Sequence, residues 1–336
     1  MSTASLRTLS IALGLSLAAC GGPAEEEPVG GDTTAGAEVV EPEVPTGPVR
    51  SHVSEGDAIV MRLDMGRVRS SAVSADIASL VRSYPAWQQL LGSSGIDPVR
   101  DFERVLISTP AGGSSESARM VIAHRLTTER VREAVLAVAV DRSRAPAWRT
   151  VRGFDVVDWP APSTPPRIVV ISGPRELIVT SAADLDAALE IAHDHRLRRE
   201  GDAVVEPALA FEPGVIATLV ATEMSDRIRA RFEHPPERFE LVLRDEAAEG
   251  AEAQMAIAAR GIYADATAAD AARAWVVQQR DFYAGQMLVR AVGLDRALRR
   301  AEIVAEGEVL RLDARFTEEE VQRVLGLLAF AQMGGG

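Results

Sequence analysis

Residues 167–180 read RIVVISGPRELIVT, two runs rich in Val and Ile on either side of the segment Ser172-Gly173-Pro174. Two such runs, joined by a short turn that contains Gly and Pro, predict a β-hairpin. Glu306-Gly307 predicts a second hairpin, between runs at 301–306 and 308–316. Strands that follow each other through tight turns pair antiparallel, so the sequence favours antiparallel sheets.

Further strand-like runs alternate with amphipathic segments along the chain. Besides these two hairpins, strands are predicted at 58–63, 104–108, 119–126, 148–159, 215–222, 238–244 and 253–263. The run at 148–159 is interpreted as one strand bent at Gly153. Helices are predicted at 74–82, 85–91, 128–138, 182–193, 223–232, 267–292 and 318–330. This order predicts an α+β fold, with helices on one face of antiparallel sheets.

The order of these segments indicates an internal duplication. Each half begins with a strand and a helix, continues with two strands and a helix, and closes with two strands and a helix. The opening strands are Ala58-Ile59-Val60 and Val215-Ile216-Ala217. The pattern fits two tandem copies of a β-α-β-β-α-β-β-α unit, which we place at 56–205 and 206–332.

Two helix starts carry capping signals. Thr317 followed three residues later by Glu320 predicts a capping box, and Thr267 with Asp270 resembles one. The helix that follows Thr267 carries an apolar stripe of Ala272, Val276, Tyr283 and Met287, flanked by Trp275 and Phe282. We expect this stripe to pack on a sheet. An exposed stripe would instead indicate a partner-binding or lipid-binding surface.

Composition excludes several chemistries. All 36 basic residues are Arg, so phosphate-loop NTPases, protein kinases and Schiff-base enzymes, which need a lysine amine, are excluded. A single cysteine excludes an intrachain disulfide, a CxxC redox pair and a multi-cysteine zinc site. Residues 51–336 carry 42 acids against 34 Arg, a net charge of −8, which argues against nucleic acid as a partner.

Three histidine or serine segments are candidates for a catalytic or metal site. His193-Asp194-His195 resembles a metal-ligand triplet, but arginines follow it and we interpret it as a solvated helix end. The segment 92–95, GSSG, does not match Gly-x-Ser-x-Gly and is interpreted as a loop that ends a helix. His124, within a strand, is interpreted as structural. We therefore predict no catalytic residue, no cofactor and no metal ligand.

The N-terminus has the features of a secretory signal. Arg7 precedes an apolar run of about nine residues, which is too short to span a bilayer. Leu17-Ala18-Ala19-Cys20-Gly21 follows, and it resembles the lipobox of bacterial prolipoproteins. The resemblance covers the first 21 residues. It implies that residues 1–19 are a signal peptide and that Cys20 is the site of lipid attachment.

The lipobox also implies a location. A lipidated Cys20 would anchor the protein to a membrane of the bacterial cell envelope, because two or more acyl chains hold a protein firmly. Gly21 in place of Asp favours the outer membrane within this class. The alternative is an ordinary signal peptide that contains a cysteine by chance. A metabolic label on Cys20 distinguishes the two.

Residues 20–55 differ in composition from the rest of the chain. Between residues 20 and 50, seven acids face the single basic residue Arg50, a net charge of −6, and no apolar periodicity is present. Such a segment cannot bury enough apolar surface to offset its ordering entropy, so we predict a disordered acidic linker. It would hold the domain away from the membrane. A partner-binding acidic tail is the alternative.

These observations predict a lipid-anchored envelope protein whose folded part is a non-enzymatic interaction or scaffold module with an envelope protein as partner. The order of hairpins and helices is similar in general look to uncharacterised secreted lipoproteins of high-GC bacteria, a resemblance that implies no functional residue. The alternative function is a periplasmic carrier that binds an apolar ligand or lipid. A large apolar cavity would favour the carrier, and a solid core with an exposed flat patch would favour the scaffold.

Overall fold

The computed structural model of the chain describes residues 56–83, 91–111, 117–141, 145–159, 167–200, 212–224, 226–230, 232–246 and 254–333. The predicted signal peptide, Cys20 and nearly all of the acidic linker lie outside the described residues, as does most of the helix predicted at 85–91. The predicted boundary between the halves, at 205/206, also lies outside them.

Strands and helices together make up most of the described chain. The strands are β1 (Asp57–Asp64), β2 (Phe102–Pro110), β3 (Arg119–His124), β4 (Trp148–Val151), β5 (Phe154–Asp158), β6 (Arg167–Gly173), β7 (Glu176–Ser181), β8 (Val215–Ala221), β9 (Arg238–Glu246), β10 (Gln254–Ile262), β11 (Glu302–Glu306) and β12 (Val309–Thr317). The helices are α1 (Met65–Ser70), α2 (Ser74–Ser83), α3 (Pro98–Asp101), α4 (Thr128–Asp141), α5 (Leu185–Glu200), α6 (Asp226–Arg229), α7 (Ala266–Gly285), α8 (Met287–Ala291), α9 (Asp295–Arg300) and α10 (Glu318–Met333).

The described strands form one sheet in the order β11-β12-β10-β9-β8-β1-β2-β3-β7-β6-β5-β4. Every neighbouring pair is antiparallel, which confirms the α+β class. From the central β1–β8 pair, the order runs outward as β1-β2-β3-β7-β6 on one side and as β8-β9-β10-β12-β11 on the other. The two predicted copies thus share one continuous sheet, and the hairpin β4–β5 extends the first copy.

The first half of the sheet is covered on both faces, which corrects the expectation of helices on one face. Val169 of β6 packs in the same core as Val135 of α4. Its neighbour Val170 packs in a second core with Leu189 of α5. Adjacent residues of a strand point to opposite faces, so α4 and α5 lie on opposite sides of the sheet. All six residues of β7 are buried, as expected of a strand with both faces covered.

Among the described residues, helices cover the second half of the sheet on one face only. Leu310, Ala314 and Phe316 of β12 are buried against helices α7, α9 and α10. The alternate residues Arg311 and Arg315 of the same strand are exposed. We call the side that carries these arginines the open face of β9, β10, β12 and β11.

Three local elements differ from the sequence predictions. Residues 148–159 form the hairpin β4–β5, because Arg152 and Gly153 both adopt positive φ (50° and 76°), the geometry of a two-residue hairpin turn. The helix predicted at 267–292 breaks after Gly285, where Gln286 is extended (φ −65°, ψ 136°). The helix predicted at 223–232 is reduced to the single turn of α6.

The capping predictions had opposite outcomes. The backbone N–H of Thr317 donates to the Glu320 carboxylate at 3.0 Å, and the Glu320 N–H donates to the Thr317 hydroxyl at 3.3 Å, so the capping box is confirmed. The capping box predicted at Thr267 and Asp270 is wrong, because helix α7 begins earlier than predicted. Its N-cap is Asp265, whose carboxylate accepts from the N–H of Ala268 at 2.8 Å.

Candidate functional site

A buried polar cluster lies between α5 and the hairpin β6–β7. It consists of Ser172 near the end of β6, Glu176 at the start of β7 and His195 on α5, all three buried. The Ser172 hydroxyl donates to Oε1 of Glu176 at 2.8 Å. Nδ1 of His195 lies 3.3 and 3.4 Å from the two carboxylate oxygens of Glu176. The polar cluster therefore ties α5 to the sheet.

The order of contacts in the polar cluster differs from that of a serine hydrolase. Such an enzyme places the imidazole between the hydroxyl and the acid, so that the imidazole takes the hydroxyl proton. Here the carboxylate of Glu176 lies between Ser172 and His195. Ser172 is also buried at 2 % exposure, where a substrate has no access. This arrangement indicates a structural role for the cluster.

The interpretation of His193-Asp194-His195 as a solvated helix end is wrong for two of the three residues. Helix α5 continues to Glu200, so the triplet lies within the helix, and Asp194 and His195 are buried. Residues i and i+2 of a helix point in different directions, so His195 faces the sheet while His193 lies near Arg196. Sequence reasoning missed Glu176, an acid that directly precedes the buried run of β7.

Metal and serine motifs are not gathered into a site within the described residues. No three His, Cys, Asp or Glu side chains in those ranges come together in an arrangement that could hold a metal ion. Residues 92–94 form a short 3₁₀ turn rather than a loop. The buried Ser94 hydroxyl accepts from the N–H of Ile96 at 3.1 Å, so it stabilises the turn.

His124 is the last residue of β3 and is buried. Burial lowers the pKa of the His124 imidazole, and the charge of Arg175 acts in the same direction. The backbone at Leu126 and the Glu176 carboxylate raise the pKa but do not cancel the effect of burial. The folded protein therefore favours a neutral His124.

The lowered pKa of His124 predicts a pH dependence of stability. Unfolded His124 titrates near 6.5, the ordinary value, and the folded residue titrates lower. Below about pH 6.5 the unfolded state binds more protons, so the free energy of unfolding should fall by up to about 1.4 kcal/mol per pH unit until the folded pKa is passed. Urea unfolding at pH 7.5, 6.5 and 5.5 should show a shallower decline for His124→Leu. An identical decline in both proteins would contradict this.

An apolar cavity lies between α4 and the sheet. Its volume is about 30 Å³, and it is lined by Leu91, Ile96, Phe102, Ile122, Val131, Trp159, Val169, Leu177 and Val179. That space is comparable to one water molecule, whereas pockets for small organic ligands measure roughly 300–1,000 Å³. The cavity therefore gives no support to the carrier hypothesis.

The open face carries its side chains in rows that cross the strands. One row consists of Glu240, Arg260, Arg311 and Val304, on β9, β10, β12 and β11 in that order. The next row has small residues at its centre: Val242, Ala258, Asp313 and Glu302. A third row contains Arg244, Ala256 and Arg315. We call the middle row, which lies between two rows that contain arginines, the central strip.

Ion pairs join neighbouring residues of the open face. Glu240 lies 2.8 Å from Arg238 and 3.9 Å from Arg260. Arg315 lies 3.0 Å from Glu246. On β9 to β12 the open face holds five Arg and five acids, so its net charge is zero, in a chain of net charge −13. The full set is Arg238, Arg244, Arg260, Arg311 and Arg315 with Glu240, Glu246, Glu302, Glu306 and Asp313.

The apolar stripe on α7 is only partly packed. Ala272 and Val276 pack on the sheet, as predicted. Phe282 is 51 % and Met287 77 % exposed, so the end of the predicted stripe points into solvent, and the neighbouring Leu288, which the prediction did not include, is 42 % exposed. We call these last three residues the apolar tip. No helix in the described ranges is both long and apolar enough to cross a membrane.

No protein-family profile matches the chain, and no curated protein is detectably similar to it in sequence. A solved structure of TP0453, a Treponema protein, in its crystal form I, aligns with a TM-score of 0.46 and 12 % sequence identity. The alignment covers 84 % of this chain and 98 % of that one. Similarity of this size says nothing about molecular role.

Proposed function

We propose that the chain is a lipid-anchored envelope protein, attached through Cys20, whose folded domain is a non-enzymatic interaction module. The open face is the observation that carries this proposal. The polar cluster is buried and arranged for structure, and the cavity is about 30 Å³, whereas the open face is broad and accessible.

The charge of the open face indicates the kind of partner. A net charge of zero on β9 to β12 gives no attraction to a nucleic acid or to an anionic bilayer. Alternating charges on a flat surface instead match a protein surface of mixed charge, and Arg is enriched in protein interfaces. We therefore assign the open face to another protein of the envelope.

Photo-crosslinking of the anchored full-length protein tests the open face. A photo-crosslinking amino acid at Val242, in the central strip, should give a discrete protein adduct. The adduct should be lost in Arg260→Glu/Arg311→Glu, which reverses two charges of one row, and kept in Arg149→Glu, which disrupts an exposed ion pair on β4. A face that is merely solvated would give the same diffuse pattern at Val242 as at the exposed Leu136 on α4.

The anchor is tested separately. Cells grown with a labelled fatty acid should yield labelled protein, and Cys20→Ser should abolish the label, because Cys20 is the only cysteine of the chain. A label that persists in Cys20→Ser would overturn the proposed anchor and leave the crosslinking result to stand alone.

A further inference from the structure

The apolar tip lies where helix α7 ends and α8 begins. Phe282 occupies the last turn of α7, and Met287 and Leu288 open α8. Phe282 stacks edge-on against Tyr283, with ring centroids 5.3 Å apart. Three large apolar side chains exposed within seven residues are unusual on a water-facing surface and mark a contact site.

One arginine lies beside the apolar tip, and the surrounding stretch of sequence is basic. The guanidinium of Arg290 donates to the carbonyl of Gly285 at 2.8 and 3.2 Å, so a positive charge lies beside the break between the helices. Residues 280–300 contain five Arg and two Asp, a net charge of +3, in a chain whose net charge is −13. Exposed Arg296 and Arg299 on α9 extend the basic region.

We propose that the apolar tip is a membrane-contact site that inserts into the interfacial layer of an anionic bilayer. Apolar side chains beside arginines are the features of segments that lie in a membrane interface, where the chains enter the acyl boundary and the arginines contact anionic headgroups. Tyr283 fits this layer because its ring is apolar and its hydroxyl polar. Three side chains are far fewer than the 20–30 residues that each partner contributes to a stable protein interface.

The proposal rests on the proposed anchoring at Cys20 for the nearness of a bilayer. The linker predicted from the sequence has about 35 residues, and a coil of that length spans roughly 30 Å, so the domain would be within reach of the membrane that holds its lipid. The tip would then fix the orientation of the domain. Insertion of the tip is a second membrane contact, and it can be measured on protein that carries no lipid at Cys20.

Vesicle flotation tests the tip in the absence of the lipid. The probe is the chain from residue 20 onward, with Cys20→Ser, mixed with vesicles of phosphatidylcholine and phosphatidylglycerol in about 7:3 ratio, or of phosphatidylcholine alone. The parent should float with the anionic vesicles. Phe282→Ser/Met287→Ser should reduce binding at least tenfold, and Arg290→Glu should reduce binding to the anionic vesicles more than to the neutral ones.

A matched control is available on α4. Leu136 is 52 % and Val140 70 % exposed, but Glu129 and Glu133 lie on the same side of that helix. Helix α4 carries Glu129, Glu133 and Asp141 against Arg130 and Arg132, so it has no excess of positive charge. Leu136→Ser/Val140→Ser removes comparable apolar surface there and should bind vesicles as the parent does. Failure of the parent to float, or an equal loss in this control, would overturn the proposal.

A fluorescent label measures insertion directly. Because Cys20→Ser leaves no cysteine, Met287→Cys introduces a single labelling position at a side chain that is 77 % exposed, so the fold should be unaffected. A polarity-sensitive dye there should shift to the blue on anionic vesicles, and the same dye at Val140→Cys should not. Equal shifts at both positions would count against the tip. Fatty-acid labelling of the natural full-length chain, which keeps Cys20, separates failure of this proposal from failure of the anchor.

Discussion

Asp57→Ala should lower the free energy of unfolding by about 3–5 kcal/mol. Asp57 begins β1 and Arg119 begins β3, and their side chains form an ion pair of 3.1 Å across the intervening strand β2. The two side chains are only 4 % and 8 % exposed. Removal of the carboxylate leaves the guanidinium in a site of low polarity, with the Ser108 hydroxyl at 3.2 Å as a neutral contact.

Urea unfolding with matched variants isolates this effect. Arg149→Ala breaks an ion pair with Asp158 in which both side chains are about 40 % exposed, and should cost less than about 1 kcal/mol. Asp57→Ala/Arg119→Met removes both buried charges and should recover most of the lost stability. If Asp57→Ala lowers the free energy of unfolding no more than Arg149→Ala does, the buried ion pair does not contribute the stability that its burial indicates.

Leu189→Ala should lower the free energy of unfolding by about 2–5 kcal/mol, because Leu189 is fully buried between α5 and the sheet. The effect should add to that of Val135→Ala within about 0.5 kcal/mol, because Val135 packs in the core on the opposite face. Val170 packs in the same core as Leu189. The double variant Leu189→Ala/Val170→Ala should therefore deviate from the sum of the two single effects by about 0.5–3 kcal/mol.

Denaturant titrations of the single and double variants give these values. Strong coupling between Leu189 and Val135 would mean that α4 and α5 share one core, contrary to the two layers. Met287→Ser, at an exposed position, serves as a control and should leave the midpoint within about 0.5 kcal/mol of the parent.

Local signals predicted local structure well. The capping box at Thr317 and Glu320 depends on residues three apart, and it formed as predicted. The hairpin at 167–180 depends on a turn and two adjacent runs, and it is present as β6–β7. Pairings between neighbouring segments of the chain, such as β2 with β3 and β9 with β10, also follow from local order, whereas the internal duplication stays a prediction.

Contacts between segments that are distant in the sequence could not be predicted from local patterns. The uninterrupted burial of β7 was readable as a strand covered on both faces, but which helix covers which face depends on packing between distant segments. The contact of Glu176 with His195 joins residues 19 apart, so no short sequence pattern reveals it. Similarly, nothing between Thr267 and Val292 is a strong helix breaker except Gly285, which one helix can tolerate.

The open face was partly predictable. Along β9, Phe239, Leu241 and Leu243 alternate with Arg238 and Glu240, a pattern typical of a strand with one solvated side. The rows of charge could not be predicted, because they depend on the register between β9, β10 and β12, which a one-residue shift would alter completely.

The pairing of β1 with β8 has a consequence for the time course of folding. Met61 lies opposite Leu219. The backbone hydrogen-bonding groups on this edge of β1 therefore lack their partner strand until about 160 further residues have been synthesised. During that interval the first half presents a strand edge on which another nascent chain could pair. The central strand pair of the finished sheet therefore cannot form until β8 has been synthesised, and refolding should be most prone to aggregation before β8 docks.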